Sequence, residues 1–317
     1  MVRLEIENNI NQSELSDLLH GYRFSSFFSS AGWVRILSSS FRSYSSFWIT
    51  ARNGRRLEGA MPVVKVRKSI FFYLRSLPFA TYGTPVANCR DVRSRLIRKF
   101  VELSSRVNCL NATAVIFDPD WSDWIPPDLP VEPAESRVIE LKEDFEYYKT
   151  RSISRTKRKI CRRSRRAGII IRELNSDKEL NDFYRIYRER SSRWGGVHPF
   201  PIRLFEKLFM HSGPELSFSG AFLDGKLLGA HIDFYSGNMA QAWISGVSLE
   251  GNDLGAPTLL ICNSVKKAYK KGMQYFNLGS SGGDRGLIFF KESLGAKRSD
   301  YLIMTSEKGW WNWIRKM

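Results

Sequence analysis

Cysteine is scarce in this 317-residue chain: Cys89, Cys109, Cys161 and Cys262, with no C-x-x-C pair among them. That spacing argues against a structural zinc site and against a disulfide framework, and no metal site is expected. Histidine is equally scarce, at four residues, and no Ser/His/Asp arrangement is readable. Covalent catalysis by an activated nucleophile has little to build on. No window approaches 18 uninterrupted apolar residues, so no membrane-spanning helix is expected. The opening MVRLEIENNINQSELSDLLH lacks the apolar run and cleavage pattern of a secretory signal. The expected location is the cytosol, with association to the inner face of the membrane left open. Acid is in deficit: 32 Asp and Glu face 49 Lys and Arg, a formal charge of +17. Such a balance implies an anionic partner: nucleic acid, an acidic membrane face or a polyphosphate.

What is present is enough apolar material for a sizeable core, at 43% hydrophobic residues. The length suits two domains of about 150 residues. Gln12–His20 has the spacing of a short amphipathic helix. β-rich runs at Ser46–Ala51 and Glu58–Val66 flank Asn53-Gly54, a strong hairpin signal. Ser69–Leu74 and Thr113–Phe117 read as strands, and Asp91–Val107 has a helical apolar face. Five prolines between Pro119 and Pro133 mark a loop or domain edge, and the strand Arg137–Leu141 follows. Ser176–Arg193 begins with a capping-box pattern, and Pro201–His211 is a second helix. Leu216–Leu223 and Lys226–Ser236 flank Asp224-Gly225, and Met239–Val247 continues the meander. Pro257–Lys270 reads as a helix and Met273–Leu278 as a strand. This order of helices, hairpin, helix and strand in each half predicts an α+β fold with mixed sheets.

The densest chemistry lies near the C-terminal end, in YFNLGSSGGDRGLIFFKESLGA (Tyr275–Ala296). Gly279, Gly282, Gly283 and Gly286 allow positive φ and close approach of backbone to a ligand. Lys291 puts a cation where an acyl-transfer transition state would build negative charge. Asp284 and Glu292 flank the loop: one reading is help in deprotonating an attacking amine, the other a helix cap or an arginine pair. The plain alternative is a glycine-rich turn before a helix, with Lys291 solvated.

The strand ending in F-N-L-G, followed by G-L-x-x-F-K-E-x-x-G-A, resembles the Fem-type, FemAB-like acyltransferases, aminoacyltransferases of the peptidoglycan bridge built on paired GNAT folds. Four further pieces in order are similar to that family: Phe27–Trp33, Arg52-Asn53-Gly54 with Leu57–Pro62, Leu77–Gly83, and the arginine-rich stretch Ser152–Gly168. The resemblance implies two tandem GNAT-like lobes, 1–137 and 138–300, with a Trp-rich basic tail at 301–317. It places Phe290 and Lys291 at the acyl-transfer site, with Asp284 as a further catalytic candidate. Substrate-binding candidates are Tyr82, Trp194, His198, Tyr235, Asn277 and Gly286. The implied activity is transfer of an aminoacyl group from aminoacyl-tRNA, or of another acyl group, to an amine of a cell-envelope or lipid-linked precursor, with no resident cofactor. Two alternatives stay open: an acyl-CoA-dependent N-acyltransferase, and a catalytically silent RNA- or membrane-binding module.

Three other segments bear on this choice. Lys149–Arg166 holds ten basic residues and no acid. Arg155, Lys157, Arg158, Lys159, Arg162, Arg163, Arg165 and Arg166 repel one another at helical spacing, and a phosphate-bearing partner, tRNA or an anionic lipid, would offset that. Gly251–Pro257 lies where an acyl-CoA GNAT would present N–H groups to pyrophosphate, yet it has few glycines and two neighbouring acids, Glu250 and Asp253. Trp310, Trp311 and Trp313 sit among cations, which suits either a bilayer interface or packing back on the first domain.

Overall fold

The computed structural model describes residues 2–194 and 198–307. The chain divides into two units, Met1–Ala134 with Asp300–Met317, and Glu135–Ser299. Trp310, Trp311 and Trp313 lie outside the described residues.

The first unit runs β1 (Arg3–Glu7), α1 (Gln12–His20), α2 (Ala31–Ser40), β2 (Tyr44–Asn53), β3 (Arg56–Lys68), β4 (Phe71–Arg75), β5 (Val86–Ala87), α3 (Arg90–Ser104) and β6 (Cys109–Ile116). Its strands pair β1-β2-β3-β4-β6, antiparallel except for the parallel β4–β6 pair, and β5 adds to β3. Gly54, at φ +60°, makes the β2–β3 turn. Val92, Leu96, Ile97, Phe100 and Leu103 of α3 are buried against this sheet, as their spacing requires. β7 (Val131–Glu140) carries the chain into the second unit and β13 (Lys297–Glu307) carries it back, where Leu302–Glu307 pair with β6.

The second unit runs α4 (Phe145–Tyr147), α5 (Arg155–Arg166), β8 (Ile170–Glu173), α6 (Asp177–Ser191), α7 (Ile202–Met210), β9 (Leu216–Leu223), β10 (Lys226–Ser236), β11 (Met239–Val247), α8 (Leu249–Asp253), α9 (Ala256–Lys270), β12 (Tyr275–Ser280) and α10 (Arg285–Glu292). Its strand order is β7-β12-β11-β10-β9-β8, with β11–β12 parallel and the rest antiparallel. The basic segment is not one helix. A wide turn spans Tyr148–Ser152, Ile153 is buried in extended conformation, and Ser154 then caps α5 by accepting from Lys157 N at 3.3 Å. Burial of one apolar side chain thus resets the backbone before the charged run winds up.

Candidate active site

The parallel ladder between β11 and β12 covers only Met239–Gln241 against Tyr275–Asn277, although both strands run on. A fork opens there, and the residues around it are polar and buried. The Gln241 amide donates to Ala242 O at 3.3 Å and Asn277 O at 3.4 Å, while its Oε1 has no partner among the described residues. Asn277 is fully buried; its Oδ1 accepts from Ser136 Oγ at 2.6 Å and from Gly279 N at 2.8 Å. Ser281 Oγ is likewise buried without a partner among the described residues. An apolar core carries few such groups without a reason.

Lys291 projects from α10 to this end of β12. Its side chain is buried, and Nζ donates to Gly279 O at 2.9 Å and to Ser280 O at 2.8 Å. The solvated lysine of the plain alternative is therefore not what the structure has. Successive carbonyls of a regular strand point opposite ways. Gly279, at φ +73°, breaks that alternation, so two consecutive carbonyls reach one ammonium. An ammonium has three donors, which leaves one beyond these two bonds. Burial, reinforced by the nearby Arg137 cation, lowers the Lys291 pKa to about 8. Arg137 is itself buried and donates to Glu292 Oε1 at 2.9 Å and Ser136 O at 3.2 Å. Gly279→Ala has room, since its nearest neighbour is 3.9 Å away, but not the backbone conformation. The left-handed φ should cost about 1–2 kcal/mol, seen as a lowered urea midpoint, and transfer should slow as the two carbonyls part.

The glycine loop itself is short. Gly282 and Gly283 have positive φ, and Asp284 then caps α10, its Oδ1 accepting from Leu287 N at 2.8 Å. Gly286 lies in the first turn of that helix and is exposed. Phe290 is partly buried against the core, with Lys157 Nζ of α5 4.1 Å from its ring centroid. Burial lowers the Lys157 pKa.

Other sequence candidates lie elsewhere. Tyr82 belongs to the first unit, packed against Phe28, Phe117 and Tyr301. Tyr235 lies beneath α9, its hydroxyl 3.3 Å from Ser264 O and 3.4 Å from Asp233 Oδ2. Trp194 is exposed and meets Tyr187 and His198 edge-on. The Tyr187 hydroxyl accepts from Phe200 N at 2.9 Å and lies 2.8 Å from His198 Nδ1. Its single proton is then free for Nδ1, which fits a neutral imidazole, and burial lowers the His198 pKa. On α5, Arg155, Lys159, Arg162, Arg163, Arg165 and Arg166 are exposed, while Lys157 and Arg158 are half-buried. Arg158 bonds the Thr150 carbonyl. Sequence reading missed Gln241, Ser136 and Arg137; the available signal was polar residues inside otherwise apolar strand runs.

Residues 149–287 match the family model of the acetyltransferase (GNAT) domain. No curated protein matches the sequence. Among solved structures, FemX superposes with a TM-score of 0.69 at 10% identity, covering 94% of this chain and 96% of that one. The C-terminal domain of a putative lysylphosphatidylglycerol synthetase from Agrobacterium fabrum gives 0.63 at 14% identity, covering 96% and 94%. A tandem GNAT protein of the clavulanic acid pathway gives 0.52 at 14% identity, covering 96% and 98%. Most of the second unit thus matches the acetyltransferase (GNAT) domain model, and the chain as a whole is similar in fold to FemX and to a tandem GNAT protein.

Proposed function

We propose that this chain transfers an aminoacyl group from aminoacyl-tRNA to an amine of a cell-envelope or lipid-linked precursor. The observation that carries this reading is the buried Lys291 ammonium, held by two consecutive carbonyls beside the fork of a GNAT acyltransferase domain. The acceptor amine attacks the ester carbonyl carbon, forming the C–N bond. Negative charge collects on the carbonyl oxygen beside Lys291, and the C–O bond to the ribose then breaks. The amine proton leaves to solvent and the ribose oxygen takes one up. The names of the similar structures, FemX and lysylphosphatidylglycerol synthetase, are compatible with an envelope acceptor.

Support for tRNA over acyl-CoA comes from the segment before α9. A Cβ at Gly255 would lie 2.5 Å from Ile160 Cγ2 and 2.7 Å from Ser164 Oγ. Ser164 Oγ donates to Leu254 O at 2.6 Å, and Arg163 Nη2 to Asp253 O at 2.9 Å. The basic helix α5 thus packs on the backbone that a pyrophosphate would approach, and turns its exposed arginines outward. No helix among the described residues is long and apolar enough to cross a membrane.

Charged tRNA should raise the thermal midpoint and acetyl-CoA should not. Reversing Arg158, Arg162, Arg165 and Arg166 to Glu should weaken tRNA binding without unfolding. If four phosphate contacts are lost, the slope of log K against log salt should flatten by roughly three to four. Stabilisation by acetyl-CoA alone, or an unchanged salt slope, would remove tRNA as the donor.

A further inference from the structure

The helix that carries the basic run is fastened to α9 at one point that the transfer chemistry does not use. Cys161 on α5 and Cys262 on α9 face each other with their sulfurs 3.2 Å apart, and both residues are buried. The packing is local and specific: Ser164, three residues on, bonds the Leu254 carbonyl, and Gly255 admits the α5 side chains at close range. Two thiols in van der Waals contact need to close by only about 1.2 Å to reach a disulfide length of about 2.05 Å. Of the other two cysteines, Cys89 is exposed and buried Cys109 lies beside the Asn111 carbonyl.

We propose that Cys161 and Cys262 are a peroxide-oxidisable dithiol, a modification site that locks the basic helix α5 onto α9. In a reducing compartment the pair stands as two thiols. Either thiol can donate the bond between them; that bond lowers the Cys161 pKa against the opposing effect of burial, and Arg165 and Lys157 lower it further. Cys262 is shifted the other way, raised by its bond to Cys161 and by burial. Cys161, flanked on α5 by Lys157 one turn before it and Arg165 one turn after it, is the attacking sulfur and Cys262 the resolving one. The Cys161 thiolate attacks one oxygen of hydrogen peroxide; the O–O bond breaks, hydroxide leaves, and a sulfenic acid remains. Cys262 then attacks that sulfur, the S–OH bond breaks, and water leaves with the thiol proton. In sum two thiols and one peroxide give one disulfide and two waters. Burial of both sulfurs selects a small oxidant over a peptide disulfide such as oxidised glutathione. Lys157, one turn before Cys161, rests on the Phe290 ring, so the cross-link also fixes a side chain beside the candidate site.

The test treats the folded full chain with hydrogen peroxide, quenches with catalase, alkylates, and maps unreduced peptides by mass spectrometry. The expected product is a Cys161–Cys262 linked peptide, two hydrogens lighter than its parts and released by dithiothreitol. Oxidised glutathione should produce it far more slowly. Oxidation should raise the thermal midpoint of the wild type and leave that of Cys262→Ser unchanged. The proposal is overturned if both cysteines are recovered singly alkylated under conditions that consume Cys89. It is equally overturned if Cys161 proceeds to sulfinic acid without a link. The outcome does not depend on which acyl donor the chain uses, because the readout is a covalent product and not a transfer rate.

Discussion

Lys291→Met should lose about 10²–10³ of the transfer rate while the protein still folds. Methionine keeps most of the aliphatic stem, so the ammonium is the variable. The pH profile separates an electrostatic role from a packing role. With a pKa lowered to about 8, the charge is present at pH 7 and disappears as pH rises through that value. The ratio of wild-type to Lys291→Met rates should therefore shrink above pH 8. The acceptor amine's own ionisation cancels in the ratio. A ratio flat from pH 7 to 9.5 would place the contribution of Lys291 elsewhere.

Stability follows the same group with a definite sign. The folded pKa lies below the ordinary 10.5, so between about pH 8 and 10.5 the unfolded chain holds the extra proton. Stability from this group rises with pH across that window. Below it, the buried charge costs roughly 3 kcal/mol. Methionine removes that cost but leaves the Gly279 and Ser280 carbonyls without their donor, at about 1–3 kcal/mol each. The two changes oppose each other, which is why folding should survive. Glu292→Gln is the natural control: it weakens the bond to buried Arg137 and should lower stability more than rate.

Much of this architecture is legible from local pattern. The meander β9, β10 and β11 occupies the spans that alternation and the Asp224-Gly225 turn mark out, and α1 occupies the span of its apolar spacing. The elements that pattern alone misses are edge or long-range ones. β1 and β8 are short, with exposed residues such as Ile6 and Ile170, and their strand character comes from a neighbour. β13 pairs with β6, nearly 200 residues earlier, and no local signal carries that register. The same division holds at the candidate site. Lys291, Phe290 and Asn277 lie in one continuous motif and can be picked out together. Gln241 and Arg137 come to the fork only because β11 and β7 flank β12. The break at Ile153 was hidden by the uniform charge of the segment, in which one buried apolar residue outweighs ten cations in setting the backbone.

In the first unit, Asp118→Ala should be the most destabilising single change. Asp118 is almost fully buried, and its Oδ2 meets Arg93 Nη1 at 2.7 Å and accepts from Trp124 Nε1 at 2.9 Å. Its Oδ1 accepts from Asp120 N at 3.0 Å. The guanidinium of Arg93 lies 5.1 Å from the Tyr22 ring centroid and 5.2 Å from that of Trp124. Burial, with the Asp118 charge beside it, pushes the Tyr22 pKa well above its usual range, so the phenol cannot replace the lost anion. Alanine would leave the cation enclosed by aromatic rings without its carboxylate. Breaking a buried pair from one side costs about 3–5 kcal/mol. At about 2–4 °C per kcal/mol for a domain of this size, the midpoint should fall by roughly 10 °C. The double change Arg93→Met with Asp118→Leu tests the cause, because it removes both charges and restores apolar contact. It should recover most of the loss, since the penalty lies in the unpaired cation more than in the missing attraction. If the double variant melts as low as Asp118→Ala, then the hydrogen bonds to Trp124 and Asp120, not the uncompensated charge of Arg93, hold this corner of the unit together.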